Sequence, residues 1–196
     1  MKRLFDIVAS GCGLIVLSPL FLLLCILIKI DSKGPVFYKQ VRVGRNGKDF
    51  LLYKFRSMYV DSDRKGLITI GGRDPRVTRM GYYIRKYKLD EFPQLINVFV
   101  GDMSLVGPRP EVRKYVDMYS TEQMCVLNVR PGITDLASIR YRNENELLEA
   151  AENPEQYYVD VIMQDKLRIN LEYVAKHSLW YDIKLIFRTF WEIISK

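Results

Sequence analysis

The run from Lys88 to Glu111, KLDEFPQLINVFVGDMSLVGPRPE, sets two adjacent carboxylates, Asp90 and Glu91, ahead of an arginine held between two prolines, Pro108 and Pro110. A carboxylate can act as a nucleophile or a metal ligand, and a guanidinium offers a planar fork of N–H donors that matches a diphosphate. Neighbours on a helix diverge by about 100°, so Asp90 and Glu91 cannot share a helical face; near a helix N-terminus they can still converge on a bound ion or phosphate. The plainer reading of the pair is an acidic first turn that steadies a helix. Arg109, Lys54, Arg56 and Arg142 can likewise be solvated surface charges when each is taken alone.

The elements that must position these groups follow from the pattern around them. VFYKQVRVGRNGKDFLLYKFRSM holds two β-favouring runs, 36–43 and 50–55, about an Asn46-Gly47 turn, and predicts a hairpin. The polar, glycine-bearing stretch 61–74 reads as a mobile loop closed by Asp74-Pro75. Residues 82–88 read as a basic helix, and 92–99 as an apolar one stopped at Gly101-Asp102. Pro131-Gly132 marks a turn into a strand-like ITDLASIRYR, and 143–151 and 154–170 read as helices. No repeat or linker divides these parts.

The N-terminus adds a lipid-facing component. Ile7 to Ile28 carries no charge, and its 22 residues would reach roughly 33 Å as a helix, enough to cross a bilayer. Pro19, after Ser18, removes a backbone hydrogen bond in mid-segment and predicts a bend. Both flanks are basic: Lys2 and Arg3 precede the segment, and Lys29, Lys33, Lys39, Arg42, Arg45 and Lys48 follow. The positive-inside tendency then places both ends in the cytoplasm, as in a helix that enters, breaks at Ser18-Pro19 and returns. A kinked single span is the alternative. At the other end, residues 179–194 gather Asp182, Lys184, Arg188, Thr189 and Glu192 on one arc and aromatic and aliphatic residues on the other, suiting either an interfacial helix or one packed on a core.

Composition narrows the partners. The chain has 196 residues, 48% of them hydrophobic, a formal charge of +7 and a pI near 9.2, which favours an anionic partner: nucleic acid, a phosphorylated small molecule or an acidic lipid surface. Cys12, Cys25 and Cys125 form no CxxC pair, and the single histidine, His177, reads as structural, so zinc and histidine-triad chemistry are disfavoured. Nucleic-acid binding accounts for the charge and not for the apolar segment, and no helix-turn-helix, zinc or RNA-recognition signature is present.

Together, LDEFPQLINVFVGDMSLVGPRPE, the upstream YKFRSM and DPRVTRMG, the later RPGIT and the terminal SLWYDIKLIFRTF resemble the bacterial sugar transferases, the monotopic phosphoglycosyl transferases, over nearly the whole chain. The chain is similar to the minimal form, in which no bundle of spanning helices precedes the catalytic unit. The resemblance implies a helix-rich α+β fold: a re-entrant membrane helix over 1–33, broken at Ser18-Pro19, and a cytoplasmic catalytic domain over 34–196 with a β-hairpin and interfacial amphipathic helices, at the bacterial inner membrane. It implies transfer of a phosphosugar from a UDP-sugar to a polyprenol phosphate such as undecaprenyl phosphate, with release of UMP, through a covalent intermediate and with Mg²⁺. Asp90 matches the nucleophile and Glu91 the magnesium-binding carboxylate. Lys54, Arg56, Arg109, Pro110 and Arg142 become candidates for substrate contact. No nucleic acid is implied, membrane lipid is, and a homodimer suits a small interfacial enzyme without any residue here arguing for it.

Members of that family usually continue PGITGWAQVNGR where this chain has PGITDLASIRYR. Asp135, Leu136, Ser138 and Arg140-Tyr141 therefore depart from the pattern, Arg142 matches its arginine, and Asn170 stands where an aspartate is common. The departures spare the Asp90-Glu91 pair and point to altered sugar or nucleotide recognition. A membrane-tethered binding or assembly protein of the same fold, without catalysis, is the competing reading, and the intact Asp90, Glu91 and Arg109 weigh against it.

Overall fold

A computed structural model of the chain describes residues 1–62 and 74–194. The loop expected over 61–74 therefore falls, from 63 to 73, outside the described residues.

Helix α1 runs from Lys2 to Asp31 as one element. The break expected at Ser18-Pro19 does not interrupt it: helical structure runs through both residues. Pro19 has no N–H for the carbonyl of Ile15 one turn back, and the Ser18 hydroxyl donates to that oxygen instead at 2.7 Å. The helix is long and apolar enough to cross a membrane. Eight large apolar side chains between Leu4 and Ile30 are at least half exposed. Their burial in an apolar phase is worth on the order of 10 kcal/mol, so this surface calls for lipid rather than water.

Both ends of α1 rest on the same body. Near its start, Arg3 donates to the carbonyls of Val98 (2.6 Å) and Phe99 (2.9 Å). Near its end, Leu24 and Ile28 pack with Phe55 and Ile84, and the Asp31 carboxylate accepts the Met80 N–H at 3.0 Å.

Strands β1 (Phe37–Val43) and β2 (Asp49–Phe55) form the expected antiparallel hairpin. Asn46 and Gly47 both take positive φ in its turn (58° and 71°), the left-handed pair that Asn-Gly supplies at least cost. Helix α2 (Arg79–Lys86) starts at Thr78, whose hydroxyl accepts the Gly81 N–H. Helix α3 (Gln94–Val100) ends at Gly101 with φ 107°. Asn97 staples α3 to β2, accepting from Tyr53 N and donating to the Leu51 carbonyl at 2.7 Å.

Strands β3 (Ser104–Val106) and β4 (Gly132–Thr134) pair in parallel. At the edge of the pairing, a Cβ on Gly132 would lie 2.1 Å from the Gly107 nitrogen, and one on Gly107 would lie 2.4 Å from the Arg130 carbonyl. The two backbones touch, which only glycine allows, and this contact joins the VGPRP and RPGIT motifs. The strand-like reading of residues 133–142 holds only to Thr134. Asp135 accepts the Ser138 N–H at 2.7 Å as an N-cap and turns the chain into helix α5 (Leu136–Arg140).

Helix α4 (Arg113–Val116), α6 (Glu144–Glu149) and the run α7 (Pro154–Tyr157), a π-helical turn over Tyr158–Ile162, and α8 (Met163–Lys176) build the second core around Tyr115, Leu148, Ile162 and Leu167. Helix α9 (Leu179–Ile194) closes over Val106 and Tyr173 through Leu185. Asp182, assigned by periodicity to the polar arc of α9, is instead buried, and Trp180, Phe187 and Trp191 are exposed. The reason is a partner from afar: Lys2 pairs with the Asp182 carboxylate.

Candidate active site

The Asp90-Glu91 pair occupies a 3₁₀ turn, Leu89–Glu91, rather than the first turn of α3. Lys88, immediately before it, is left-handed (φ 57°, ψ 24°). A non-glycine residue held there costs roughly 1–3 kcal/mol, which the packing of Leu89 and Phe92 against α1 and β2 offsets.

Two elements converge on Glu91. Lys54, from β2, donates to its Oε1 at 3.1 Å. Arg109, from the loop after β3, forks onto both oxygens: Nη1 reaches Oε2 at 3.3 Å and Nη2 contacts Oε1. Asp90 is the buried member of the pair, and among the described residues no hydrogen bond or ion pair takes its carboxylate.

The neighbours consequently titrate in opposite directions. Burial pushes Asp90 above the ordinary aspartate range; Lys54 offsets part of this and the Glu91 charge adds to it. Burial also opposes ionisation of Glu91, but Arg109 and Lys54 together outweigh it and hold that carboxyl well below the usual range. Burial pushes the Lys54 ammonium down, whereas Glu91 raises Arg109 further and keeps it charged.

The arginine loop is buttressed by groups that sequence reasoning passed over. Arg42 donates to the Pro110 carbonyl at 2.9 Å and to Glu111 Oε2 at 3.5 Å, and is itself held by Gln40 Oε1 (3.0 and 2.8 Å). Tyr158 donates to Glu111 Oε1 at 2.7 Å from the π-helical turn. The available signal was the period-2 alternation of β1, which puts Tyr38, Gln40 and Arg42 on one face, with Tyr38 opposite Lys54.

Behind Arg109 lies a small cavity of about 30 Å³, lined by Pro108, Pro110, Pro131, Tyr119 and Asn170 among others. Two buried acceptors in this neighbourhood have no partner: Asn170 Oδ1, and Oδ2 of Asp135, whose charge acts on Arg109. These are two of the positions at which the chain departs from the PGITGWAQVNGR pattern and its downstream aspartate.

The sequence model for bacterial sugar transferases matches residues 1–196. This chain belongs to that family. The bacterial sugar transferase chain is 40% identical, over its whole length, to 44% of the UDP-N-acetylgalactosamine-undecaprenyl-phosphate N-acetylgalactosaminephosphotransferase of Aeromonas hydrophila. Over 96% of its length it is 37% identical to 39% of the UDP-glucose:undecaprenyl-phosphate glucose-1-phosphate transferase of Escherichia coli strain K12. The protein of the same name from Caulobacter vibrioides is 36% identical, with 96% of this chain and 67% of the relative covered. The chain thus spans less than half the length of the first two of these relatives.

Within this family member the candidate residues divide. Lys54, Arg109, Asp90 and Glu91 come together, and Pro110 lends its carbonyl to Arg42. Arg56, expected among the substrate contacts, is placed elsewhere. Its buried guanidinium caps the C-terminus of α1, donating to Ser32 (2.6 Å), Lys33 (2.7 Å) and Ile28 (3.3 Å). Gly34, at φ 129°, leaves the room for it, since a Cβ there would meet Arg56 Nη1 at 2.0 Å. Arg142 lies exposed in the turn between α5 and α6.

Magnesium fits the donor chemistry of the pair. Among the described residues no cluster of three metal-binding side chains is assembled, and Mg²⁺ commonly takes only one or two carboxylates, filling its octahedron with water and substrate phosphate. Glu91 is ionised and suited to that role, provided Lys54 and Arg109 turn from it towards the phosphates.

The opposite shifts predict opposite effects on stability. Asp90, with its pKa raised by the fold, costs stability at neutral pH, so Asp90→Asn should raise the thermal midpoint at pH 7. Glu91, with its pKa depressed, contributes stability above the unfolded glutamate value that is lost as pH falls, so Glu91→Gln should lower the midpoint. The gap between the two variants should narrow as pH drops into the carboxylate range; the reverse order at pH 7 would contradict these charge assignments.

Proposed function

We propose that the chain is a phosphoglycosyl transferase that moves a phosphosugar from a UDP-sugar to a polyprenol phosphate, through an aspartyl-phosphosugar intermediate on Asp90. The single observation that carries this reading is the division of labour in the acidic pair: Glu91 takes both cations, and the buried carboxylate beside it is left without a partner. The relatives' names describe the same class of reaction.

In this reading an Asp90 oxygen attacks the phosphorus that bears the sugar. A new O–P bond forms, the bond from that phosphorus to the bridging oxygen breaks, and UMP departs with the electron pair. An oxygen of the polyprenol phosphate then attacks the same phosphorus, and the Asp90 carboxylate leaves. A carboxylate approaches a diphosphate only if their repulsion is relieved. Arg109 and Lys54, turned from Glu91 towards the phosphates, supply positive charge on this chain's side, and Arg42 and Tyr158 hold the loop that carries Arg109. Magnesium, bound by Glu91, would add charge neutralisation at the diphosphate. Burial raises Asp90, so the acid limb of turnover should lie above the ordinary aspartate value.

One substrate is soluble and the other keeps its phosphate at headgroup depth, so the site belongs at the interface. Attachment of both ends of α1 to one body, together with basic flanks, supports a re-entrant helix with the catalytic unit on the cytoplasmic side of the inner membrane. Unpartnered Asp135 and Asn170 oxygens near Arg109 support a role for the departing segment in recognising hydroxyl or N–H groups of the donor.

Incubation with a panel of UDP-sugars and undecaprenyl phosphate should release UMP in a Mg²⁺-dependent manner, and Asp90→Asn should abolish it. Release surviving that substitution would move the nucleophile elsewhere, and no release from any donor would favour a binding protein. For topology, Pro19→Leu should straighten the return and expose an N-terminal tag to the periplasm; unchanged accessibility would refute the role given to Pro19.

A further inference from the structure

Strand β3 spans only Ser104–Val106, and the loop that carries Arg109 begins at the next residue. So short a strand has few backbone bonds to fix its position. All three of its residues are instead held by side chains from the first turns of α1. Asp6 Oδ1 accepts from the Ser104 hydroxyl (3.2 Å) and the Leu105 N–H (3.1 Å), and Lys2 Nζ donates to the Val106 carbonyl at 3.1 Å.

The Lys2 ammonium is aimed by one group. Asp182 of α9, 1% exposed, accepts from Lys2 and from the Tyr173 hydroxyl (2.7 Å), and that hydroxyl lies 3.2 Å from the Val106 carbonyl. Arg3, between Lys2 and Asp6, holds the last carbonyls of α3, the helix that follows Asp90-Glu91. The same two turns of α1 therefore grip both the strand leading into Arg109 and the helix leading away from the acidic pair. A buried carboxylate carries a desolvation cost that an apolar contact would avoid, so packing alone gives little reason for an ion pair here.

We infer that Lys2 and Asp182 are positioning residues for the transfer: their ion pair, made when the first turn of α1 lies against β3 and α9, sets Val106 and through it the place of Arg109 opposite Glu91. The inference rests on the reaction proposed above. It makes seating of the lipid-facing helix a condition for a competent phosphate site, with no contact between α1's first turn and the substrate. Tyr173 and Asp6 support the arrangement from either side.

A mutant cycle tests it, on the full chain in lipid nanodiscs, with rates referred to folded protein. Asp182→Asn, and separately Lys2→Met, should lower kcat/KM for the UDP-sugar by about tenfold or more, in keeping with the cost of a small misplacement; Lys2→Arg should restore most of it. In an Arg109→Gln background the same substitutions should cost less than about twofold, because the group they position is gone. Equal losses in both backgrounds, or a loss of thermal stability with no change in kcat/KM, would reduce the pair to a structural tie and overturn the inference. Lys2 is partly exposed, so its variants remain informative if Asp182→Asn does not fold. Should the wild-type chain turn over no donor, UDP affinity replaces turnover in the same cycle; failure of the reaction and failure of the coupling are then read separately.

Discussion

Sharing of Glu91 between Lys54 and Arg109 is the constraint on which the rest of the site depends. A buried and a half-buried carboxylate on adjacent residues repel each other, and with two cations within reach the fold divides them unequally. Glu91 takes the bidentate arginine and the lysine and stays ionised, while Asp90 keeps the cost of burial and no close partner. Had the cations bridged the pair evenly, neither oxygen set would be free to attack. The inequality comes from geometry: a 3₁₀ turn points successive side chains apart, and only one of them faces both β2 and the arginine loop.

That geometry is assembled from distant segments by backbone contact as well as by hydrophobic burial. Gly107 and Gly132 meet with no room for a Cβ, which locks the two proline-glycine motifs together and leaves Arg109 on a loop stiffened by Pro108 and Pro110. The loop's Pro110 carbonyl and Glu111 carboxylate are then held by Arg42 and Tyr158. Helix α1 lies under all of this, with one end gripping β3 and α3 and the other capped by Arg56. The long apolar helix thus holds the strand and the helix that flank the polar site.

Much of this was legible in residues. The Asn46-Gly47 hairpin, the apolar helix before Gly101 and the long N-terminal helix follow from local chemistry, and the acidic pair with Arg109 stood out by type and spacing. What was missed required long-range partners. Asp182 reads as a solvent-facing acid until Lys2, at the other end of the chain, supplies the charge that buries it. Arg56 reads as a phosphate ligand until the free carbonyls at the end of α1 claim it. Asp135 reads as part of a strand because β-propensity outweighs a single capping residue in a short window, although the cap decides the outcome. Arg42 and Tyr158 carried no motif: the alternation of β1 put Arg42 on the face of Tyr38, opposite Lys54, but nothing local pointed to Tyr158.

The central claim is that the unpartnered carboxylate of Asp90 accepts the phosphosugar. Mass spectrometry of the protein quenched after incubation with a turned-over UDP-sugar, without polyprenol phosphate, addresses it most directly. The account predicts a mass increase equal to one phosphosugar, mapped to the peptide carrying Asp90 and discharged on adding polyprenol phosphate. An unmodified Asp90 under conditions of demonstrated turnover, or the adduct on another residue, would contradict it.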